Sequence, residues 1–240
     1  MYNTDNYKSG NSKVDLFIEE TLKKSVYCND FIEWIPIERI SNLNFLASGG
    51  NSEVYVGSWW LPDTPSTTVV IKVLKDSKII NDRILNEFKI HYKCYRANKN
   101  LIIPFYGITY HGSDKNFAMI LKKAEYGDLR NYLYKYRYLT WSNKSKLLLD
   151  IAKALNSIHQ MKLVHKDFHC KNILVDVEAK IYIGDFGLCQ HEEEIQHCLD
   201  DFEISDGDYD DKLEGYCPVY EDERYITQKY DFTVNDLLST

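Results

Sequence analysis

Lys72, Asp167, Asn172 and Asp185 are the residues of this chain whose types and surroundings could do chemistry. Lys72 closes the apolar run Val69-Val-Ile-Lys72, which places an ammonium at the end of a strand-forming segment. Asp167 and Asn172 stand in Leu163-Val-His-Lys-Asp-Phe-His-Cys-Lys-Asn-Ile-Leu174, a polar stretch held between two apolar runs. Asp185 stands in Ile183-Gly-Asp-Phe-Gly-Leu188. An ammonium can hold phosphate oxygens. Carboxylate and amide oxygens can hold a hard divalent cation, and a further carboxylate can orient a hydroxyl. Together these are the parts needed to move the terminal phosphoryl group of a nucleoside triphosphate.

Two more features belong to the same chemistry. Leu46-Ala-Ser-Gly-Gly-Asn-Ser-Glu-Val-Tyr55 is a turn of small residues between two strand-like segments. Gly49 and Gly50 there let backbone N–H groups approach an anion, although a Gly-Gly turn also joins ordinary hairpins. Glu87, in Leu85-Asn-Glu87, lies on the helical segment after Lys72 and is placed to pair with it. Without such a partner a lysine at a strand end is simply solvated. A polar turn between apolar runs is by itself only a hairpin. That does not account for His165, Asp167 and Asn172 at these offsets. Phe186 is expected to pack between two lobes, and Gly187 to let the backbone turn.

The elements that must position these residues follow from periodicity. Met1 to Ser12 is rich in Asn, Ser and Gly and reads as disordered. Val14 to Ser25 reads as a short helix with Leu16, Phe17 and Leu22 on one side. From Leu43 to Leu74 the pattern is β, with Val54-Tyr-Val56 and Val69-Val-Ile71 as strand cores and a turn at Pro62 to Pro65. Ile80, Ile84, Phe88 and Tyr92 fall four apart and predict a helix over Ile79 to Tyr95. Leu101 to Tyr110 and Phe117 to Leu121 are strand-like. Leu129 to Tyr138 and Trp141 to Met161 are helical, the second with a stripe of Leu147, Ile151, Leu155 and Ile158. Ile173-Leu-Val175 and Lys180 to Ile183 are short strands. This is an α+β order, a β-rich lobe followed by a helical one, with a ligand cleft expected between them.

Composition narrows the alternatives. The chain has 240 residues, of which 44% are hydrophobic, enough for a folded core. It has no apolar run of membrane-spanning length and no signal-peptide pattern at the N-terminus, so a soluble cytoplasmic protein without a membrane partner is expected. Its six cysteines form no C-x-x-C pair and read as reduced thiols. The net charge is −7; residues 191–214 hold eleven acids and one base, a net −10, which leaves +3 for the remainder. That block reads as a solvated loop, and the balance argues against nucleic acid as a partner. Cys189, His191, His197 and Cys198 have ligand chemistry, but their spacing matches no zinc pattern.

The four stretches, in this order and spacing, resemble the eukaryotic protein-kinase family over Leu43 to Leu188. The resemblance implies a bilobal fold with a β-rich N-lobe and a partial helical C-lobe. The expected divisions are an N-terminal tail and short helix over 1–40, the N-lobe over 41–121, a partial C-lobe over 122–190, and an acidic, activation-loop-like segment with a degenerate C-terminus over 191–240. It implies ATP and Mg²⁺ as cofactors and a protein as substrate, and it fixes no oligomeric state. Carried over position by position, Leu46 and Val54 cover the adenine. Lys72 contacts the phosphates and pairs with Glu87. Leu121 is the gatekeeper, with Lys122 to Ala124 as the hinge. Gly49, Gly50, Ile71, Lys123 and Leu174 complete the nucleotide site. Asp167 is the catalytic carboxylate, and Asn172 and Asp185 hold the metal. The leader Phe31-Ile-Glu-Trp-Ile-Pro36 and the His-x-Asp-Phe-His loop are similar to the tyrosine-kinase-like branch, especially the expanded kinase families of arbuscular mycorrhizal fungi.

The chain departs from the family pattern at four places. Ala47 and Ser52 stand where the family has glycine. Lys166 replaces the arginine before the catalytic Asp and lacks its bidentate fork. His169 replaces the lysine usual in Ser/Thr kinases, which leaves the acceptor to be inferred from the branch. No Ala-Pro-Glu follows Asp185; Cys217-Pro-Val-Tyr-Glu221 is a degenerate version at best, and the C-lobe is expected to be truncated. These departures leave two functional classes, a protein kinase and a nucleotide-binding scaffold or decoy without activity; a small-molecule phosphotransferase can share the His-x-Asp and Asn pattern, but the Gly-rich turn and Asp-Phe-Gly argue against it.

Overall fold

The computed structural model describes residues 8–25, 31–60, 65–112 and 114–194. The chain divides into two units, and all described residues lie in the first, Met1–Asp200. A helix, α1 (Ser12–Lys23), precedes the short β1 (Glu33–Trp34), then β2 (Ile40–Ser48), β3 (Ser52–Trp59) and β4 (Thr67–Leu74). Next come α2 (Asp82–Ala97), β5 (Phe105–His111) and β6 (Asn116–Lys122). The last part holds α3 (Leu129–Lys135), α4 (Trp141–His159), β7 (Leu163–Val164), β8 (Ile173–Val175), β9 (Ile181–Ile183) and β10 (Gln190–His191). The class is α+β, with a β-sheet N-lobe followed by helices.

The N-lobe is one sheet in the order β1-β5-β6-β4-β3-β2. Its β-branched segments set the register: Val54 lies opposite Lys72, and Lys72 opposite Met119. Cross-strand partners share a face, so Val54, Lys72 and Met119 project from the same side of the sheet. The other side carries Val69, Ile71, Val73, Ala118 and Ile120 in a separate apolar cluster.

Helix α2 begins later than its hydrophobic pattern suggests, because Asn81 caps it, its side chain accepting from the Ile84 N–H at 2.9 Å. Ile80 therefore lies outside the helix, though still buried. Its inner face carries Ile84, Glu87, Phe88 and His91.

Helix α1 turns a different face inward than expected. Val14, Phe17 and Thr21 are buried, whereas Leu16 and Leu22 are 55% and 40% exposed. Positions 14, 17 and 21 form the i, i+3, i+7 line of a helix, and that line lies against α2. Phe17 meets the Tyr92 ring edge-on at 6.0 Å, the Tyr92 hydroxyl donates to the Thr21 carbonyl, and Lys13 pairs with Asp82 at 2.9 Å. The segment just before α1, read as disordered, is fastened. Ser9 is buried, its carbonyl accepts from the Tyr110 hydroxyl at 2.8 Å, and Asn11 caps the helix.

Strand β5 starts at Phe105, not at Leu101. Leu101 and Ile103 instead exchange backbone hydrogen bonds with Ile183, at 2.8 and 3.0 Å. Pro104, which has no N–H, separates the two pairings. This crossover stitches the N-lobe to the β8–β9 hairpin. In α4 the buried line is Leu147, Ala154 and Ile158, with Ile151 and Leu155 half-buried. Ala154 takes the place expected of Leu155, since 147, 151, 154 and 158 follow the helical repeat more closely. Helix α3 ends at Lys135 and α4 at His159, short of the expected Tyr138 and Met161. Among the described residues no helix is long and apolar enough to cross a membrane. The turn residues before Pro65 and everything from residue 195 on lie outside the described residues. That includes most of the acidic block, the Cys217 to Glu221 segment, and His197 and Cys198.

Candidate active site

The strand ladder fixes Lys72, and α2 supplies its partner. The Lys72 ammonium lies 2.8 Å from Glu87 Oε1 and 2.6 Å from Asp185 Oδ1. The Lys72 and Glu87 side chains are only 11% and 10% exposed. Burial alone would lower the Lys72 pKa, but the two carboxylates outweigh it and hold the group above its ordinary value. Burial likewise works to raise Asp185, yet Lys72 and the Gly187 N–H hold that carboxyl below its usual range. Asp185 sits at φ 60°, a left-handed conformation that aspartate tolerates better than most residues. Gly187 has a different reason to be glycine: a Cβ there would stand 3.0 Å from Glu87 Oε2.

Asp167 is held by Asn172, whose Nδ2 donates to both the Asp167 carbonyl and Oδ2 at 2.9 Å. The Asn172 carbonyl accepts from the Gly184 N–H at 2.9 Å. His165 Nε2–H donates to the Gly184 carbonyl at 3.0 Å, and its Nδ1 accepts from the Asp167 N–H. Burial pushes the His165 pKa down, which suits that neutral tautomer. The catalytic-loop candidates and Asp185 thus belong to one network, and Lys72 joins it through Asp185. His169 Nε2 lies 3.4 Å from Asp167 Oδ1. Lys166 reaches a neutral amide, Gln190 Oε1, at 2.9 Å.

The nucleotide-contact candidates divide. Val54 and Leu121 share the face of Lys72, Leu121 lying opposite Val70. Leu46 is 61% exposed at the edge of the turn. Gly49 and Gly50 have no positive φ; a Cβ at Gly50 would meet nothing within 4 Å, and the Gly49 N–H, expected to face an anion, donates to the Ser52 carbonyl at 2.8 Å. The turn is pinned from outside by Lys75, whose ammonium reaches the Gly49 carbonyl at 2.7 Å. Leu174 packs near Gly184, and Lys123 turns towards Glu125 at 3.5 Å. Ile71 does not join this group. Strand alternation puts it on the opposite face, fully buried with Val69 and Val73, and Val70 occupies the position beside Lys72.

Sequence reading missed three residues that the site depends on. Val70 was readable from strand parity. His91 lies one helical turn after Glu87 and stacks between Phe105 and Phe186, at 5.2 and 5.1 Å between ring centroids. Phe186, 1% exposed, in turn meets His165 at 5.2 Å, so a column of four rings runs through both lobes. Asp176 had no local signal. Its Oδ2 lies 2.6 Å from Lys122 Nζ, and its Oδ1 accepts from the Glu125 N–H at 3.1 Å. It clamps the segment joining the lobes. Asp176→Ala is expected to lower stability by about 1–2 kcal/mol, because it leaves the partly exposed Lys122 ammonium and the Glu125 N–H without their shared acceptor. Urea unfolding of the two proteins at pH 7.5 measures it.

Among the described residues no group of three or more His, Cys, Asp or Glu side chains is arranged to hold a metal. Cys189 and His191 do not make a zinc site between them. Cys189 is buried, and burial pushes its thiol up to about 11.

The comparison with known proteins agrees with this geometry. A family model described as protein tyrosine and serine/threonine kinase matches residues 20–202. Over 153 residues the chain is 29% identical to the mitogen-activated protein kinase kinase kinase dlk-1 of Caenorhabditis briggsae, covering 64% of this chain and 16% of that protein. It is 30% identical over 158 residues to the L-type lectin-domain containing receptor kinase IX.2 of Arabidopsis thaliana, covering 63% and 22%. It is 24% identical over 165 residues to the serine/threonine-protein kinase STY17 of the same plant, covering 68% and 28%. The matched region thus spans less than a third of each of these relatives. The family match takes in most of the chain and both halves of the polar network, from Lys72 to Asp185, and the chain therefore belongs to the protein tyrosine and serine/threonine kinase family.

Proposed function

We propose that the chain is an ATP- and Mg²⁺-dependent protein kinase that transfers the γ-phosphoryl group to a hydroxyl of a protein, serine or threonine rather than tyrosine. The observation that carries this reading is Lys72 held between Glu87 and Asp185 at 2.8 and 2.6 Å. An ammonium fixed in this way is organised in advance to bind phosphate.

The donor set fits Mg²⁺. Asn172 spends its Nδ2 on Asp167, which leaves Oδ1 free to face a cation, and Asp185 keeps Oδ2 beyond the oxygen used by Lys72. Two hard oxygen ligands suit an ion that takes the rest of its shell from water and substrate phosphates. When bound, Mg²⁺ supplies neutralisation of phosphate charge. The chain's own residues do the rest. Leu46, Val54, Val70 and Leu121 would cover the base, with the backbone at Lys123 beside it and Leu174 beneath. Asp167 orients the acceptor hydroxyl and takes its proton. The acceptor choice rests on the resemblance to the tyrosine-kinase-like branch, as does the affinity with the expanded families of arbuscular mycorrhizal fungi.

Incubation with radiolabelled ATP and Mg²⁺ tests the reading, comparing the native chain with Asp185→Ala. Transfer is expected in the first, and a fall on the order of 10²–10³-fold in the second. Ala47 and Ser52 in the phosphate-facing turn favour a second reading, a nucleotide-binding scaffold. Retained nucleotide binding with no transfer in either protein would favour that one.

A further inference from the structure

A cleft of about 680 Å³ opens beside α3 and the loop that carries Asp167, and its lining is basic. Arg130, Arg137 and Lys171 line it together with Leu133, Tyr134 and Asp128. All three cations are exposed, and none forms a salt bridge among the described residues. The Arg137 guanidinium lies 4.5 Å from the Tyr134 ring centroid, and its Nε donates to the Tyr134 carbonyl at 3.4 Å. Those contacts hold the cation in place without neutralising it. Asp128 is the one carboxylate in the lining, and both its oxygens are engaged. Oδ1 accepts from the Asn131 N–H at 2.8 Å and Oδ2 from Asn131 Nδ2 at 2.7 Å.

The cleft is tied to the catalytic loop. The Leu129 N–H donates to the Cys170 carbonyl at 3.1 Å, and Asp128 forms an isolated bridge with Leu174. Lys171 precedes Asn172, four positions after Asp167. Four residues of chain reach at most about 14 Å, a span that an extended peptide covers in a similar number of residues. A polypeptide with its hydroxyl at Asp167 therefore has Lys171 within a few positions of the acceptor, and Arg130 and Arg137 line the same cleft as Lys171.

We propose that this cleft selects acceptor polypeptides carrying acidic residues close to the hydroxyl. The proposal names the substrate class for the kinase reading above and rests on it. The chain as a whole is at −7, so its bulk field repels an acidic polypeptide. Selection comes from the local cations, acts over about a Debye length, and weakens as salt is raised. Single-stranded RNA is the other polyanion that an arginine–tyrosine surface suits; the tie between this cleft and the loop that carries Asp167 favours a polypeptide that brings its own hydroxyl.

The test uses the full chain with fluorescent peptides that hold one serine or tyrosine flanked on both sides by Glu, by Gln or by Lys. Binding is read by anisotropy and transfer with labelled ATP, for the native chain and for Arg130→Glu with Arg137→Glu. The Glu peptide is expected to bind about tenfold more tightly than the Gln peptide, and to exceed it as substrate by a similar factor in kcat/KM. In the variant that advantage disappears while kcat/KM for the Gln peptide is unchanged. Equal binding of the three peptides overturns the proposal, as does an acidic preference that survives in the variant. Selective binding with no transfer to any peptide upholds the cleft and sinks the kinase reading. Transfer without selectivity sinks the cleft alone. Tighter binding of polyuridine than of the Glu peptide, lost in the same variant, also overturns it.

Discussion

On the proposed kinase reading, Lys72→Met is expected to lower phosphoryl transfer on the order of 10²–10³-fold and to destabilise the chain by about 3–5 kcal/mol. The two losses have different origins. Transfer falls because the phosphates lose the only ammonium fixed between Glu87 and Asp185. Stability falls because those carboxylates are left facing each other with no cation, one of them 10% exposed. A second substitution separates the effects. Lys72→Met with Glu87→Gln removes the orphaned charge, so most of the stability should return while transfer stays lost. Urea unfolding and labelled-ATP transfer on the four proteins of this cycle provide the check. If the double variant regained transfer, Lys72 would have no place in the chemistry.

Acidification will cost the fold about 3 kcal/mol between pH 6.5 and pH 4 through His91 alone. Burial lowers the His91 pKa from 6.5 to about 4, against the opposing effect of its 2.9 Å hydrogen bond to the Ile103 carbonyl. Above pH 6.5 the ring is neutral in both folded and unfolded chains, and no penalty exists. Below it, the unfolded chain takes up a proton that the folded chain refuses, so stability falls until the folded ring also titrates near 4. His165 is depressed as well and acts in the same direction. Asp185 and Asp176, both held below their ordinary range, withdraw their contributions at still lower pH. His91→Leu should start less stable at pH 7.5, since the Ile103 carbonyl loses its donor, and then show a flatter decline. Unfolding midpoints measured in steps from pH 7.5 to 4.5 decide it. An equally steep acid slope in His91→Leu would rule out this account.

The parts of the site legible in the sequence were those whose geometry is local. Asp167 and Asn172 share one loop, so their spacing already encodes the hydrogen bond between them. Lys72 and Glu87 were legible because strand and helix periods point each side chain inward. Ile71 was misplaced although the information was present: a strand alternates strictly, so the residue beside Lys72 in sequence lies across the sheet from it. The face of α1 was misread because leucines were weighed above helical position, and Thr21 proved more buried than Leu22. Asp176 was out of reach for another reason. Its partner N–H lies 51 positions away, and nothing near Asp176 announces the contact. The two-residue strands β1, β7 and β10 are too short to carry any period and exist through their partners alone.

Helix α1 bears on where the folding unit starts. The family match begins at residue 20, inside that helix, and the sheet begins at residue 33. A laboratory choosing a shortened chain from either landmark would cut away Val14 and Phe17, which are 0% and 3% exposed. Tyr92 and the neighbouring apolar side chains of α2 would then meet water, and the shortened product should aggregate during purification for want of a dozen residues that carry no recognised motif.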